Sequence, residues 1–164
     1  MGTEGSTVLS PLWRGLPPIA PSAVSNSAAC ALPPRFEAVR TARRFTRSTL
    51  QQWDLPGLFD DVALVVSELV TNSMRYALPA DPMGTAGEAP VRLHLMRWTS
   101  RLVCAVRDPS EESPVAGEAD AGAECGRGLF LVESFSDTWG WHPLAGALRG
   151  KVVWALFRLP DALD

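Results

Sequence analysis

DDVALVVSELVTNSMRYA, Asp60 to Ala77, is the stretch from which the rest of the chain is read. It predicts one helix. Asp60 and Asp61 open it, where negative charge meets the positive end of the helix dipole. Val62, Leu64, Val65, Val66, Leu69 and Val70 leave almost no polar side through its first turns, so most of the circumference is expected to be buried. Into that apolar run the chain puts Glu68 and Asn72, four residues apart and therefore on one face, one turn from each other. Burying a carboxylate is unfavourable unless something pairs with it. Two readings stay open at this point. The pair is a hard-cation and proton-transfer site, since all-oxygen ligands suit magnesium and a carboxylate accepts a proton. Alternatively, the two side chains simply hydrogen-bond each other at a helix end. Arg75 and Tyr76 follow on the next turn, placed to reach an anion.

Outward from this helix, the totals set the class. A chain of 164 residues with 46% hydrophobic and 20% charged residues is one globular domain, large enough to bury a core. A net charge of −3 argues against a general nucleic-acid footprint. Fourteen of the 15 basic residues are arginine; Lys151 is the single lysine, which reads as the mark of a GC-rich coding sequence. No apolar run is long enough to span a bilayer, and no charged start followed by an apolar run marks a signal peptide. Cys30, Cys104 and Cys125 are odd in number and lack CxxC spacing, so free thiols in a reducing cytoplasm are expected.

Residues 1–26, rich in Ser, Pro, Gly and Ala, read as a mobile tail, 27–160 as the domain, and 161–164 as a short C-terminal tail. Ser27 to Leu32 predicts a short strand. Pro33-Pro34 then starts a helix to about Trp53 with a buried stripe of Phe36, Val39, Ala42, Phe45, Thr49 and Trp53. Arg35, Arg40, Arg43, Arg44 and Arg47 form either a solvated face or a docking surface for an acidic partner. A turn at 54–57 leads into the central helix, and a loop at 78–90 leaves it. Val91–Trp98 and Arg101–Arg107 predict a hairpin, closed by Asp108. Pro109 to Gly126 predicts a long loop with five acidic residues and no basic one, of a length expected of lids and binding loops. Arg127-Gly128 is expected to open a helix from Leu129 to Phe135, followed by strands at 137–142 and 151–159. The order β-α-α-β-β-α-β-β predicts an α+β sandwich, with helices on one face of a mainly antiparallel sheet. His94 and His142 lie in strand patterns with no Cys or carboxylate at ligand spacing and read as structural. Trp139, Trp141 and Trp154 read as core or edge packing.

Three places gather chemistry: Glu68 with Asn72; Asp108 at the end of a buried strand; and Gly126-Arg127-Gly128-Leu129, where glycines allow close backbone approach and helix amides favour an anion. Their conjunction indicates a nucleotide site. At these residues the chain resembles a family. SELVTNSMRYA resembles the N-box of the GHKL ATPase and kinase superfamily, which holds ATP in the Bergerat fold; VRDPSEESP resembles its G1 box, GRGLFLVESFSDTWGWHP its G2 box, and GKVVWALFRL its closing strand. Four motifs in order cover Ser27 to Leu159, and the likeness is greatest to single-domain anti-sigma-factor serine kinases of the RsbW and SpoIIAB type. The resemblance implies that Asn72 coordinates magnesium, that Glu68 is the general base toward an attacking hydroxyl, and that Arg75 lies near the phosphates. It implies that Asp108 accepts from the adenine amino group, with Val152 close by where many relatives have a threonine. Residues 109–126 would be the ATP lid, with Gly126, Arg127, Gly128 and Leu129 at the phosphate end. The implied function is an ATP- and magnesium-dependent protein serine/threonine kinase, acting on an anti-anti-sigma partner of the STAS type and sequestering a sigma factor. The alternative is an ATP-binding regulatory module without turnover. Relatives dimerise, so a homodimer is one expectation. No direct contact with nucleic acid or membrane is implied.

Overall fold

In the computed structural model the structure describes residues 24–33, 35, 37–76, 91–98, 100–110, 123–144 and 150–159; for Val24, Tyr76, Trp98 and 123–128 it describes the backbone alone. The predicted loop at 78–90, most of the predicted lid, and Phe36 lie outside the described residues.

The elements run β1 (Val24–Leu32), α1 (Glu37–Gln52), a 3-10 turn (Pro56–Leu58), α2 (Phe59–Tyr76), β2 (Val91–Trp98), β3 (Arg101–Asp108), α3 (Ala123–Phe135), β4 (Thr138–Pro143) and β5 (Lys151–Arg158). The five strands form one sheet in the order β1-β2-β3-β5-β4, every neighbouring pair antiparallel. This is the α+β sandwich that the sequence predicts, with the three described helices against the sheet. The first strand begins at Val24, three residues before its predicted start. Asp54 turns the chain between α1 and α2 with φ 61°, in the left-handed region that aspartate tolerates better than most side chains.

The main core lies between sheet and helices. From α2 it takes Val62, Val65, Val66, Leu69 and Val70; from the sheet it takes Leu93, Leu95, Leu102, Cys104, Val106, Val153, Ala155 and Phe157. On α1 the most buried residues are Ala38, Ala42, Thr46, Thr49 and Leu50, while Val39, Phe45 and Trp53 pack at the margin. The stripe is thus turned slightly from the expected one. Most of these buried residues are small, and Thr46 satisfies its hydroxyl on the carbonyl of Ala42 at 2.8 Å. Of the arginines of α1, Arg43 and Arg47 lie over the ring of Phe59, at 5.8 and 4.3 Å from its centroid, and Arg43 also donates to Ser67 Oγ at 3.1 Å. Two residues of the expected charged face therefore tie α1 to α2. Arg40 and Arg44 remain exposed.

The other face of the sheet is buried as well. Met96, Val103, Ala105, Val152, Trp154 and Leu156 form a second apolar layer with Leu144. Gly140 lies flat against Trp154; a Cβ there would come within 2.7 Å of the indole. The alternation in β2 therefore separates two buried faces, not core from solvent, and His94 is only 6% exposed. Its Nε2 has no hydrogen-bond partner among the described residues. Burial, with Arg107 and Arg92 nearby, pushes the imidazole down from 6.5 to about 4.

A base held below its ordinary range resists protonation in the native state. The stability that His94 contributes is intact above pH 6.5 and is lost as pH falls toward 4, below which both states carry the proton. The full loss is on the order of 3 kcal/mol. Denaturant midpoints followed from pH 7 to pH 4 should fall in the parent protein and fall distinctly less in His94→Leu.

Candidate functional site

The face of α2 that carries Glu68 and Asn72 is set by the apolar residues around it. Val62, Val65, Val66, Leu69 and Val70 fix the helix on the sheet, and this leaves Glu68 and Asn72 half-buried at its flank with Arg75 exposed beyond them. α3 packs along the same helix. Burial pushes the Glu68 carboxyl above its ordinary range, and the positive charge of Arg75 partly opposes this. Such a carboxylate is a better proton acceptor than a solvated one, which is what a general base requires.

One residue further along α2, Ser73 is buried and turns toward the sheet. Its hydroxyl donates to Asp108 Oδ2 at 2.8 Å. Asp108, 1% exposed, closes β3. Its Oδ1 accepts from Lys151 Nζ at 3.0 Å and from the backbone N–H of Ser110 at 3.0 Å. Lys151 begins β5 directly opposite Asp108 in the antiparallel register. An ionised carboxylate offers roughly four acceptor positions. Lys151, Ser110 and Ser73 fill one each. Oδ2 keeps a position for one further donor, such as an exocyclic amino group.

Two of the sequence-predicted clusters are therefore joined through Ser73, which sits on the helix of Glu68 and Asn72 and holds Asp108. Ser73 and Lys151 are the site residues that sequence reasoning misses. The signal for Lys151 is its solitude: among 15 basic residues it is the lone lysine, and six apolar residues follow it in its strand. Val152, which stands where many relatives have a threonine, lies in the second apolar layer. Side chains alternate along a strand, so with Lys151 facing the helices Val152 faces the opposite layer beside Met96 and Trp154. Lys151 is the β5 residue beside Asp108.

At the third cluster the helix boundary differs from the expected one. The helix begins at Ala123, not at Arg127-Gly128, so Gly126, Arg127 and Gly128 lie within its first turns. The predicted lid is helical from 123 onward. Only the leading N–H groups of a helix lack an internal partner, and those of Gly128 and Leu129 fall inside the ladder. Leu129 is 8% exposed and packs inward, so its place is in the packing of α3.

Residues 32–156 match the family model of the histidine kinase-like ATPase domain. The chain belongs to that family. A solved structure titled "The crystal structure of SiaB-SiaC complex from Pseudomonas aeruginosa" contains a chain with the same fold: the TM-score is 0.52 at 15% identity, over 94% of this chain and 95% of that one. No curated protein sequence matches the chain significantly. The histidine kinase-like ATPase domain is an ATP-binding domain, and the GHKL resemblance of the four motifs agrees with it. The residues present suit the ligand chemically. A carboxamide and a carboxylate one turn apart supply hard oxygens of the kind magnesium takes, and Asp108 supplies a buried acceptor with a position to spare. No helix among the described residues is long and apolar enough to cross a membrane. Cys104 is buried with its thiol pushed up to about 12 by desolvation, and burial also raises the thiol of Cys30, so neither is poised as a nucleophile.

Because the Glu68 carboxyl lies above its ordinary 4.5, its ionised form is disfavoured by the fold. The native state is relieved of that strain below the ordinary carboxyl value and carries it increasingly as pH rises through the shifted one. Glu68→Gln should therefore raise the thermal midpoint at pH 7, and the gain should shrink to nothing as pH approaches 4. Scanning fluorimetry across that range checks the sign; a destabilised variant at pH 7 would mean that the charge is favourably paired.

Proposed function

We propose that this chain is an ATP- and magnesium-dependent protein serine/threonine kinase that acts as an anti-sigma regulatory factor on a STAS-type anti-anti-sigma partner in the cytoplasm. The observation that carries this reading is the half-buried Glu68 on the helix face shared with Asn72, with its carboxyl raised by desolvation. Binding a nucleotide needs acceptors and a cation ligand; a poised base has a use only where a proton is removed.

In this reading Asn72 supplies the hard oxygen for magnesium, whose charge, when bound, offsets that of the phosphates. Arg75, one turn beyond, adds positive charge at the same end. Asp108 orients the base of ATP, anchored by Ser73 so that adenine and phosphate ends are set by one helix. Glu68 takes the proton from the attacking hydroxyl, and the rest of the acceleration comes from positioning and charge neutralisation. The amides at the start of α3 are the other candidates for phosphate contact. Gly126, Arg127 and Gly128 shape that turn. A protein partner is supported by the two-protein complex in which the structural relative was solved. A sigma factor as second partner and a homodimeric state follow from the RsbW-type resemblance. The exposed Arg40 and Arg44 of α1 are the surface we assign to an acidic partner.

Incubation with γ-labelled ATP, magnesium and the co-encoded STAS protein is the deciding measurement. Transfer of label to the partner is expected. Glu68→Gln should lower the rate by about 10²–10⁴-fold, the usual contribution of a general base, with ATP affinity held or slightly increased. Asn72→Ala should instead weaken magnesium-dependent ATP binding. Tight ATP binding with no transfer to any co-encoded partner would establish the regulatory module in place of the kinase.

A further inference from the structure

Lys151 is buried to 4% exposure with its Nζ 3.0 Å from Asp108 Oδ1. Its placement is built into the backbone. Gly150, just before it, has φ +116°, a conformation that side chains rarely adopt, and a Cβ there would overlap the carbonyl oxygen of Asp108. Only glycine lets β5 start so close against the end of β3, and the register then sets Lys151 opposite Asp108. An ammonium group has three N–H donors. Among the described residues Asp108 is the only hydrogen-bond partner of Lys151. One N–H is engaged by Asp108, and the ammonium has donor capacity left for an acceptor that arrives with a ligand.

We propose that Lys151 is a base-reading residue: its ammonium donates to ring nitrogen N1 of adenine while the adjoining Asp108 carboxylate accepts from the exocyclic amino group. The proposal rests on the reading of Asp108 as the adenine contact and adds to it a direct, charged second contact. The edge of adenine presents a donor, the amino group, next to an acceptor, N1. The protein presents an acceptor, Oδ2 of Asp108, next to a donor, Nζ of Lys151. The two patterns are complementary, and with two points of contact the base is fixed in rotation as well as position. Lys151 suits this better than an arginine would. Its compact ammonium bonds Asp108 through one N–H and keeps others free, whereas a guanidinium would engage both carboxylate oxygens and displace Ser73 and the ligand alike.

The test compares ATP, 1-deaza-ATP (which lacks the N1 acceptor) and purine riboside triphosphate (which lacks the amino group) by calorimetry with magnesium on the whole protein. Both analogues should bind roughly tenfold to a hundredfold more weakly than ATP. In Lys151→Met the penalty for 1-deaza-ATP should vanish while the penalty for the missing amino group persists. Equal affinity of the unmutated protein for ATP and 1-deaza-ATP would overturn the proposal, leaving Lys151 a purely structural partner of Asp108. Equal affinity for ATP and the amino-less analogue would instead overturn the Asp108 reading, so the two failures are told apart. If none of the three binds, ATP included, both readings fall. Should Lys151→Met fail to fold, the comparison of the three nucleotides on the unmutated protein decides alone.

Discussion

A carboxylate in the interior is tolerated only when it is paired and hydrogen-bonded, and Asp108 has three partners. Lys151, Ser73 and the Ser110 amide bring together the end of β3, the start of β5 and the last turn of α2. Hydrophobic contact cannot specify this meeting point, because apolar side chains pack acceptably in many alignments. A buried ion pair with fixed hydrogen-bond directions can. Removing one member would leave the other charged and unpaired, which typically destabilises by about 3–5 kcal/mol. The same geometry that makes the pair hard to break also sets the position of Asn72 and Glu68, since they share a helix with Ser73.

The pair also acts on strand register. In β5, seven consecutive residues, Lys151 to Phe157, are buried, so no polar alternation distinguishes one face from the other. A slip of one residue would exchange the faces. It would carry Lys151 from Asp108 into the layer of Met96, Val103 and Trp154, where the described residues offer no carboxylate. Gly150 reinforces the choice, since the residue pressed against Asp108 must be a glycine. Specificity of alignment therefore comes from one charged contact at the end of an apolar strand.

This explains what the sequence makes legible and what it hides. The central helix was readable to within a residue, because its apolar run, opening aspartates and length leave no alternative. The hairpin of β2 and β3 was equally plain from alternation and a short turn. Glu68, Asn72 and Asp108 stood out as polar residues in apolar surroundings. Ser73 did not, since a serine in a helix gives no sign of which way it faces until the sheet is placed beside it. Lys151 and Val152 could not be sorted between faces while both faces of β5 are buried. The start of α3 was hidden by its glycines, which read as a loop; packing along α2 carries the helix back to Ala123 despite their low propensity.

The solitary lysine has a further consequence for how this surface meets chemistry. Every other basic side chain of the chain is a guanidinium, so the folded molecule withholds its single ε-amine, 4% exposed, from solvent. Acyl transfer to lysine therefore has one target, reached only through the base end of the site or by opening of the sheet, and with nucleotide bound only the second route is left. Reactivity of that amine becomes a reporter of opening at the β3–β5 seam, a local event that can be followed separately from global unfolding.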